Sequence, residues 1–211
     1  MTAPNATLMI SSHCHHCATT LAALADLVKQ GIVGQLTVVN VERHPELADA
    51  QNVRTVPWVR IGQFEFTGAQ SAAELKTWAE RAKSEEGWAD YFHQLLKDGQ
   101  AAHVVELVQA APDRLGAILP IIANPEASLN VRLGAGVLME EFAHSAALKS
   151  LTARLGEMAA DPDARVRADA CHYLSLTGSA EAEPYLAAHA DDPDAEVREI
   201  VRESLAALAQ A

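Results

Sequence analysis

Two cysteines separated by two residues, Cys14 and Cys17, are the side chains of this chain best suited to carry out chemistry. A thiolate attacks a disulfide sulfur, and a second thiol about one helical turn away can then displace the product. The spacing therefore predicts thiol–disulfide exchange, with Cys14 as the nucleophile and Cys17 as the resolving thiol. A structural disulfide or two unreactive thiols would be the alternative interpretation.

Histidines surround this dithiol, since His15 and His16 lie between the cysteines and His13 precedes them. A partly protonated imidazole would stabilise the Cys14 thiolate. We therefore expect His15 and His16 to tune the pKa of Cys14 and to make the pair more oxidising. Exposed histidines that are only weakly coupled to the thiols are the alternative.

The same cluster, residues 13–17, also holds side-chain types that bind zinc or copper. Structural metal sites usually take their ligands from two separated pairs, and contiguous residues cannot all converge on one tetrahedral ion. Metal binding is therefore the less favoured hypothesis. We predict no metal ligand and no cofactor.

The residues that must position the dithiol show the element order β-α-β-α-β-β-α over about 80 residues. Apolar residues at helical spacing and β-branched runs define the elements, and Gly-containing turns separate them. Ser71 and Glu74 stand three residues apart at the start of the last helix, a spacing typical of a capping box. The predicted strands are 7–10, 36–41, 58–61 and 64–66, and the predicted helices are 15–30, 45–51 and 71–83.

A polar connection at residues 83–87 separates this first part from a second part in which strand signals vanish. We therefore place the domain boundary between residues 83 and 84, which gives domains 1–83 and 84–211. The first domain has no net charge, whereas the second holds 21 acidic and nine basic residues and thus the whole net charge of −12. Such a surface repels phosphate backbones. It argues against nucleic acid binding and favours a basic protein partner, unless the charge serves only solubility.

Neither a secretory leader nor a membrane anchor is predicted. No basic residue precedes Lys29, and no apolar run approaches the ~20 residues that cross a membrane. We therefore expect a cytoplasmic protein, in which a close pair of cysteines is typical of redox chemistry rather than of a structural disulfide.

The second domain contains a helical repeat. Residues 161–167 (DPDARVR) recur as residues 192–198 (DPDAEVR), 31 residues later, and a looser copy begins at Asn124. We expect the Asp before each Pro to cap a helix and the Pro to occupy its first turn, with Asp163 and Asp194 favouring the positive helix end. A repeat of this length is typical of a helical solenoid.

The first domain resembles the thioredoxin/glutaredoxin superfamily over about residues 5–83. Three features carry the resemblance: the strand that leads into the Cys14–Cys17 motif, the Thr55-Val56-Pro57 step before a hairpin, and residues 66–69 (FTGA) before the last helix. The resemblance implies a glutaredoxin-sized, thioredoxin-like α/β fold and disulfide oxidoreductase activity. It also implies a cis peptide bond between Val56 and Pro57 that faces the dithiol and presents backbone to an extended substrate.

The second domain resembles HEAT and HEAT-like repeats over about residues 88–211, because Asp-Pro-x-Ala-x-Val-Arg is a mark of such repeats. The resemblance implies an all-α solenoid that binds other macromolecules. Cys171 lies in one of its helices and is expected to be a packed, unreactive residue.

These observations together predict a thiol–disulfide oxidoreductase that acts on a protein partner recruited by the HEAT-like repeats. The partner is a protein disulfide or dithiol, with a basic surface as the property that the charge favours. An upstream dithiol reductant or oxidant would recycle Cys14 and Cys17. Two alternatives from other classes stay open: a protein-binding adaptor whose dithiol senses redox state, and a metal-binding protein that uses residues 13–17.

Overall fold

The computed structural model describes residues 2–84 and 86–209, and the chain divides into two compact units, 1–87 and 88–211. The predicted boundary between residues 83 and 84 lies a few residues before this division and stays a prediction. Glu85, within the predicted connection, lies outside the described residues. No helix in the two described segments is long and apolar enough to cross a membrane.

The first unit has the predicted order of strands and helices, and the observed bounds differ from the predicted ones by at most two residues. The spacing of apolar residues was therefore sufficient to predict which segments of this unit form strands and which form helices. The strands are β1 (Asn5–Ile10), β2 (Gln35–Asn40), β3 (Trp58–Ile61) and β4 (Phe64–Thr67), and the helices are α1 (Cys17–Lys29), α2 (Pro45–Ala50) and α3 (Ala72–Arg81).

The four strands form one sheet in the order β2-β1-β3-β4. β1 pairs in parallel with β2 and antiparallel with β3, so Leu8 lies between Val38 and Val59. β1 is therefore an inner strand with a neighbouring strand on each side, and the dithiol segment follows its carboxyl end. The buried core of this unit includes Leu8, Leu24, Ile61, Phe64 and Leu75.

Helix α3 begins with the predicted capping box. The Glu74 N–H donates to Ser71 Oγ at 3.2 Å, and the Ser71 N–H donates to Glu74 Oε2 at 2.8 Å. The hydrogen bonds from the backbone and hydroxyl of Ser71 lower the pKa of the Glu74 carboxyl. The prediction from the spacing of these two residues is confirmed.

The remaining elements are helical, and no strand occurs among the described residues after β4. Two short 3₁₀ segments, 112–118 and 180–182, precede α6 and α11. The α-helices are α4 (Gly87–Lys97), α5 (Ala101–Ala110), α6 (Leu119–Ile122), α7 (Leu129–Glu141), α8 (Ala146–Lys149), α9 (Thr152–Met158), α10 (Ala164–Leu176), α11 (Glu183–Ala187) and α12 (Ala195–Leu208).

The repeat helix α10 buries a face of small and apolar side chains. Val166, Ala170 and Leu174 all lie on this buried face, which lets neighbouring helices stack closely. Cys171 is also fully buried, and burial raises the pKa of its thiol to about 11. The prediction that Cys171 is a packed residue is confirmed.

The predicted helix caps of the repeats were wrong by two residues. Asp163 and Asp194, which follow the prolines, are the N-caps, and each accepts a hydrogen bond from a backbone N–H of the next turn. Asp161 and Asp192, which precede the prolines, instead accept from the N–H groups of Asp163 and Asp194 at 2.8 and 2.9 Å. The prolines therefore lie in the turn before each helix rather than in its first turn. The hydrogen bond from the N–H after each Pro to the Asp before it stabilises this turn.

Candidate redox site at the start of the first helix

Cys14 lies in the connection between β1 and α1, and Cys17 is the first residue of α1. The Cys14 N–H donates to the Ser11 carbonyl at 3.4 Å, and the Cys17 N–H donates to the Cys14 carbonyl at 3.3 Å. Helical bonding starts only when the Thr20 N–H donates to the His16 carbonyl at 3.1 Å. Because the chain makes these two turns first, α1 begins two residues later than the periodicity predicted.

The two cysteines form a disulfide, with an Sγ–Sγ distance of 2.06 Å and a Cα–Cα distance of 5.4 Å. Cys14 is half-buried, whereas Cys17 is only 4% exposed and belongs to the core. A thiolate can attack only the sulfur that it can reach. The difference in exposure therefore favours Cys14 as the sulfur open to a partner and Cys17 as the leaving sulfur.

The three neighbouring histidines are exposed at the surface around Cys14. The Nδ1 atom of His15 lies 3.2 Å from the His13 carbonyl oxygen, and His16 is the N-cap of α1 without a capping bond from its side chain. Over residues 2–84 and 86–209, no group of three or more His, Cys, Asp or Glu side chains is arranged to hold a metal. The influence of His15 and His16 on Cys14 stays a prediction.

A carboxylate that the sequence analysis missed, Glu42, holds the dithiol segment. Glu42 Oε1 accepts from the Ser12 N–H at 3.1 Å, and Oε2 accepts from Ser12 Oγ at 2.5 Å. Asn40, at the end of β2, supports the pair by donating to Ser12 Oγ at 3.4 Å and accepting from the Glu42 N–H at 2.9 Å. The hydroxyl bond from Ser12 is the main cause that lowers the pKa of Glu42, and the charge of His13 acts in the same direction.

The contact between Ser12 and Glu42 could be predicted only from the topology of the sheet, not from a local sequence pattern. Ser12 and Glu42 are 30 residues apart, but they follow two strands that pair in parallel, so both lie at the same edge of the sheet. A parallel β1–β2 pair predicted from a βαβ pattern would have brought them together.

Replacing Glu42 with alanine is expected to raise the amide exchange rate of Ser12 by about tenfold or more, because the N–H loses its acceptor. The wild-type protein should itself lose protection of the Ser12 N–H on acidification, seen as a smaller protection factor once the exchange rate is corrected for the intrinsic rate at each pH. Since the pKa of Glu42 is lowered in the folded chain, the bonds persist at neutral pH and are lost as the pH falls through that lowered value. Hydrogen exchange at residue resolution measures both effects.

The matched control for this prediction is Glu46→Ala, which removes an exposed carboxylate of α2 that contacts His44 rather than the dithiol segment. It should leave the exchange rate of Ser12 unchanged. An unchanged rate in Glu42→Ala would mean that the carboxylate does not hold the dithiol segment in solution.

The peptide bond between Val56 and Pro57 is cis, which confirms that part of the expectation from the resemblance. Trp58, the next residue, pairs with Met9 near the end of β1, so the cis bond lies at the sheet edge from which the dithiol segment starts. The Pro57 carbonyl already accepts from the Gly68 N–H at 2.8 Å. No group of the described residues hydrogen-bonds to the backbone of half-buried Val56, whose N–H and carbonyl are therefore available.

Two family models match the chain. A thioredoxin domain model matches residues 6–80, and a HEAT repeat model matches residues 115–206. No curated protein gives a match. Together with the observed fold and the disulfide, these matches define a protein whose first domain has a thioredoxin fold. The chain as a whole is a thioredoxin-like domain fused to HEAT-like repeats.

Proposed function

We propose that the protein is a thiol–disulfide oxidoreductase that acts on a partner protein recruited by its HEAT-like repeats. The observation that carries the proposal is the disulfide between half-buried Cys14 and buried Cys17 within a thioredoxin fold. In this proposal Cys14 is the nucleophile and Cys17 resolves the mixed disulfide.

The exchange needs only two thiols on each side. The Cys14 thiolate attacks one sulfur of a partner disulfide, and the other partner sulfur leaves as a thiolate that takes up a proton. The Cys17 thiol loses its proton, attacks Cys14 Sγ and releases the second partner thiol, so that Cys14 and Cys17 are oxidised and the partner is reduced by two electrons. The reverse sequence oxidises a partner dithiol, and the difference in reduction potential sets the direction. An upstream dithiol or disulfide returns the pair to its starting state.

Backbone and charge around the dithiol support this chemistry. The unpaired N–H and carbonyl of Val56 would bind an extended segment of the partner, with the Pro57 ring beside it. His15 and His16 would stabilise the Cys14 thiolate and make the pair more oxidising. The excess of acidic residues after residue 83 supports a partner with a basic surface.

A Cys17→Ser variant tests the proposal directly, because it blocks the resolving step and should leave the partner joined to Cys14. We expect disulfide-linked complexes in cell extract that disappear on reduction and that mass spectrometry maps to Cys14. The double variant Cys14→Ser/Cys17→Ser is the matched control and should capture nothing. Complexes that form equally in the double variant, or that map to Cys171, would contradict the assigned roles.

A further inference from the structure

Helix α7 carries an apolar stripe on its outer surface, formed by Leu129, Leu133 and Val137. These side chains are 61%, 60% and 54% exposed, more than any other large apolar side chain among the described residues. They are spaced four residues apart and therefore follow one another along one face of the helix over about 12 Å. The opposite face of α7 packs into the core through Val131, Ala135 and Leu138. A contiguous exposed stripe of this kind is typical of a binding surface.

Acidic side chains lie at both ends of the stripe. Glu126 precedes it by three residues, and Glu140 and Glu141 follow Val137 at the end of the helix. All three carboxylates are exposed, and the C-terminal carbonyls of α7 add partial negative charge at the second end. The ends of the stripe are thus negative while its centre is apolar.

The side of the stripe that borders α10 carries charges of both signs, with two guanidinium groups and one carboxylate. The Arg165 guanidinium contacts the Asp169 carboxylate at 3.2 Å, and the charge of Arg132 also acts on Asp169. Glu140 lies 4.0 Å from Nε2 of His172. Counted with Glu126, Glu140 and Glu141, the carboxylates around the stripe outnumber the two guanidinium groups, and the three glutamates lie at its two ends.

A second copy of the chain fits this surface poorly. Antiparallel pairing of two α7 helices about Leu133 would bring Glu126 of each copy close to Glu140 of the other. Parallel pairing would put each carboxylate beside its own counterpart. Both arrangements bring like charges together around an apolar contact, which is unfavourable.

We propose that the α7 stripe docks an amphipathic helix of the partner protein, with apolar side chains along one face and Lys or Arg at both ends. Anchors four residues apart match the i, i+4 spacing of a helix that lies along α7, and the basic ends complement the three carboxylates. This inference rests on the proposed function, because it identifies the docked protein as the partner whose disulfide exchanges with Cys14.

The probe for this surface is a synthetic helical peptide with three leucines spaced four residues apart and two lysines at each end. Its binding to the full chain is measured by fluorescence anisotropy. We expect saturable binding that Leu133→Gln weakens by about tenfold or more. The double variant Glu140→Gln/Glu141→Gln should also weaken it, and the loss should shrink as salt rises.

Two matched controls distinguish docking on the stripe from nonspecific hydrophobic or electrostatic binding of the peptide. Leu47→Gln changes an exposed leucine of α2, and Glu157→Gln/Glu203→Gln removes two exposed charges elsewhere. Both should bind the peptide like the wild type. Absence of binding to the wild type, equal binding by Leu133→Gln, or an equal loss in the control pair would overturn the inference. So would a wild-type dimer, seen by sedimentation, that Leu133→Gln dissociates.

Turnover of a small disulfide, which needs no docking, distinguishes this inference from the proposed function. Leu133→Gln should turn over the small disulfide at the wild-type rate while it loses the peptide. If the wild type bound the peptide but exchanged no disulfide, the docking surface would stand and the proposed oxidoreductase function would fall.

Discussion

Replacing Cys14 with serine is expected to lower turnover of a small aromatic disulfide by at least about 100-fold, because a hydroxyl cannot replace the thiolate in the attack. The rate is followed through the absorbance of the released thiol, with an excess of dithiol as the electron source. The matched control is Cys171→Ser. Cys171 is buried and burial raises the pKa of its thiol to about 11, so its loss should leave the rate unchanged.

Two results would contradict the first prediction in different ways. Normal turnover by Cys14→Ser would place the nucleophile elsewhere and remove the basis of the proposed function. A wild-type protein that reacts once with the disulfide but does not turn over in the presence of dithiol would instead be a redox-sensing adaptor.

Replacing Asp192 with alanine is expected to lower the unfolding midpoint of the repeats by about 5 °C or more. The Asp192 side chain is only 3% exposed and accepts from Nε and Nη2 of Arg167 at 2.8 Å each. It also accepts from the Asp194 N–H, which closes the turn before α12. The substitution therefore leaves Nε and Nη2 of Arg167 and the Asp194 N–H without these acceptors, while Nη1 of Arg167 keeps the carbonyls of Asp161 and Pro162. Calorimetry or circular dichroism measures the midpoint.

The effect should depend on pH with a definite sign. The hydrogen bond from Arg167 is the main cause that lowers the pKa of Asp192 to about 2, below its ordinary value near 4. The carboxylate therefore stabilises the folded chain above pH ~4, and this contribution is lost as the pH falls from about 4 to about 2. The wild-type midpoint should fall across this window, and that of Asp192→Ala should fall less.

The control for the ion pair is Glu199→Ala. Glu199 contacts Arg202 at 3.4 Å on the exposed side of α12, where both side chains are largely in water. Exposed pairs of this kind contribute little, so this variant should unfold close to the wild type. Equal midpoints for the Asp192 and Glu199 variants would show that the buried pair does not couple the repeats.

Local patterns predicted the elements of the first unit well, because alternation and helical spacing act over a few residues. The errors occur where local hydrogen bonds of the backbone or of a side chain override the pattern. The turns around Cys14 delay the start of α1, and the carboxylate of Asp161 closes a turn that moves the helix cap to Asp163. The cis bond at Pro57 was expected from family resemblance alone, since the spacing of residues carries no such information.

Contacts that depend on the assembled fold could not be predicted in the same way. The carboxylate of Glu42 reaches Ser12 only because β1 and β2 pair in parallel. The apolar residues of α7 have helical spacing on both of its faces, so the sequence does not reveal which face remains uncovered. Exposure of Leu133 follows from where the neighbouring helices pack.

The unequal burial of the three cysteines makes the native chain convenient for site-specific labelling. Cys14 is half-buried, whereas Cys17 and Cys171 are buried, so after reduction we expect Cys14 to be the most accessible thiol. A limiting amount of maleimide dye or spin label would therefore attach at Cys14 without a cysteine-free background. The label would report on the dithiol segment itself, in a chain whose sequence has not been altered.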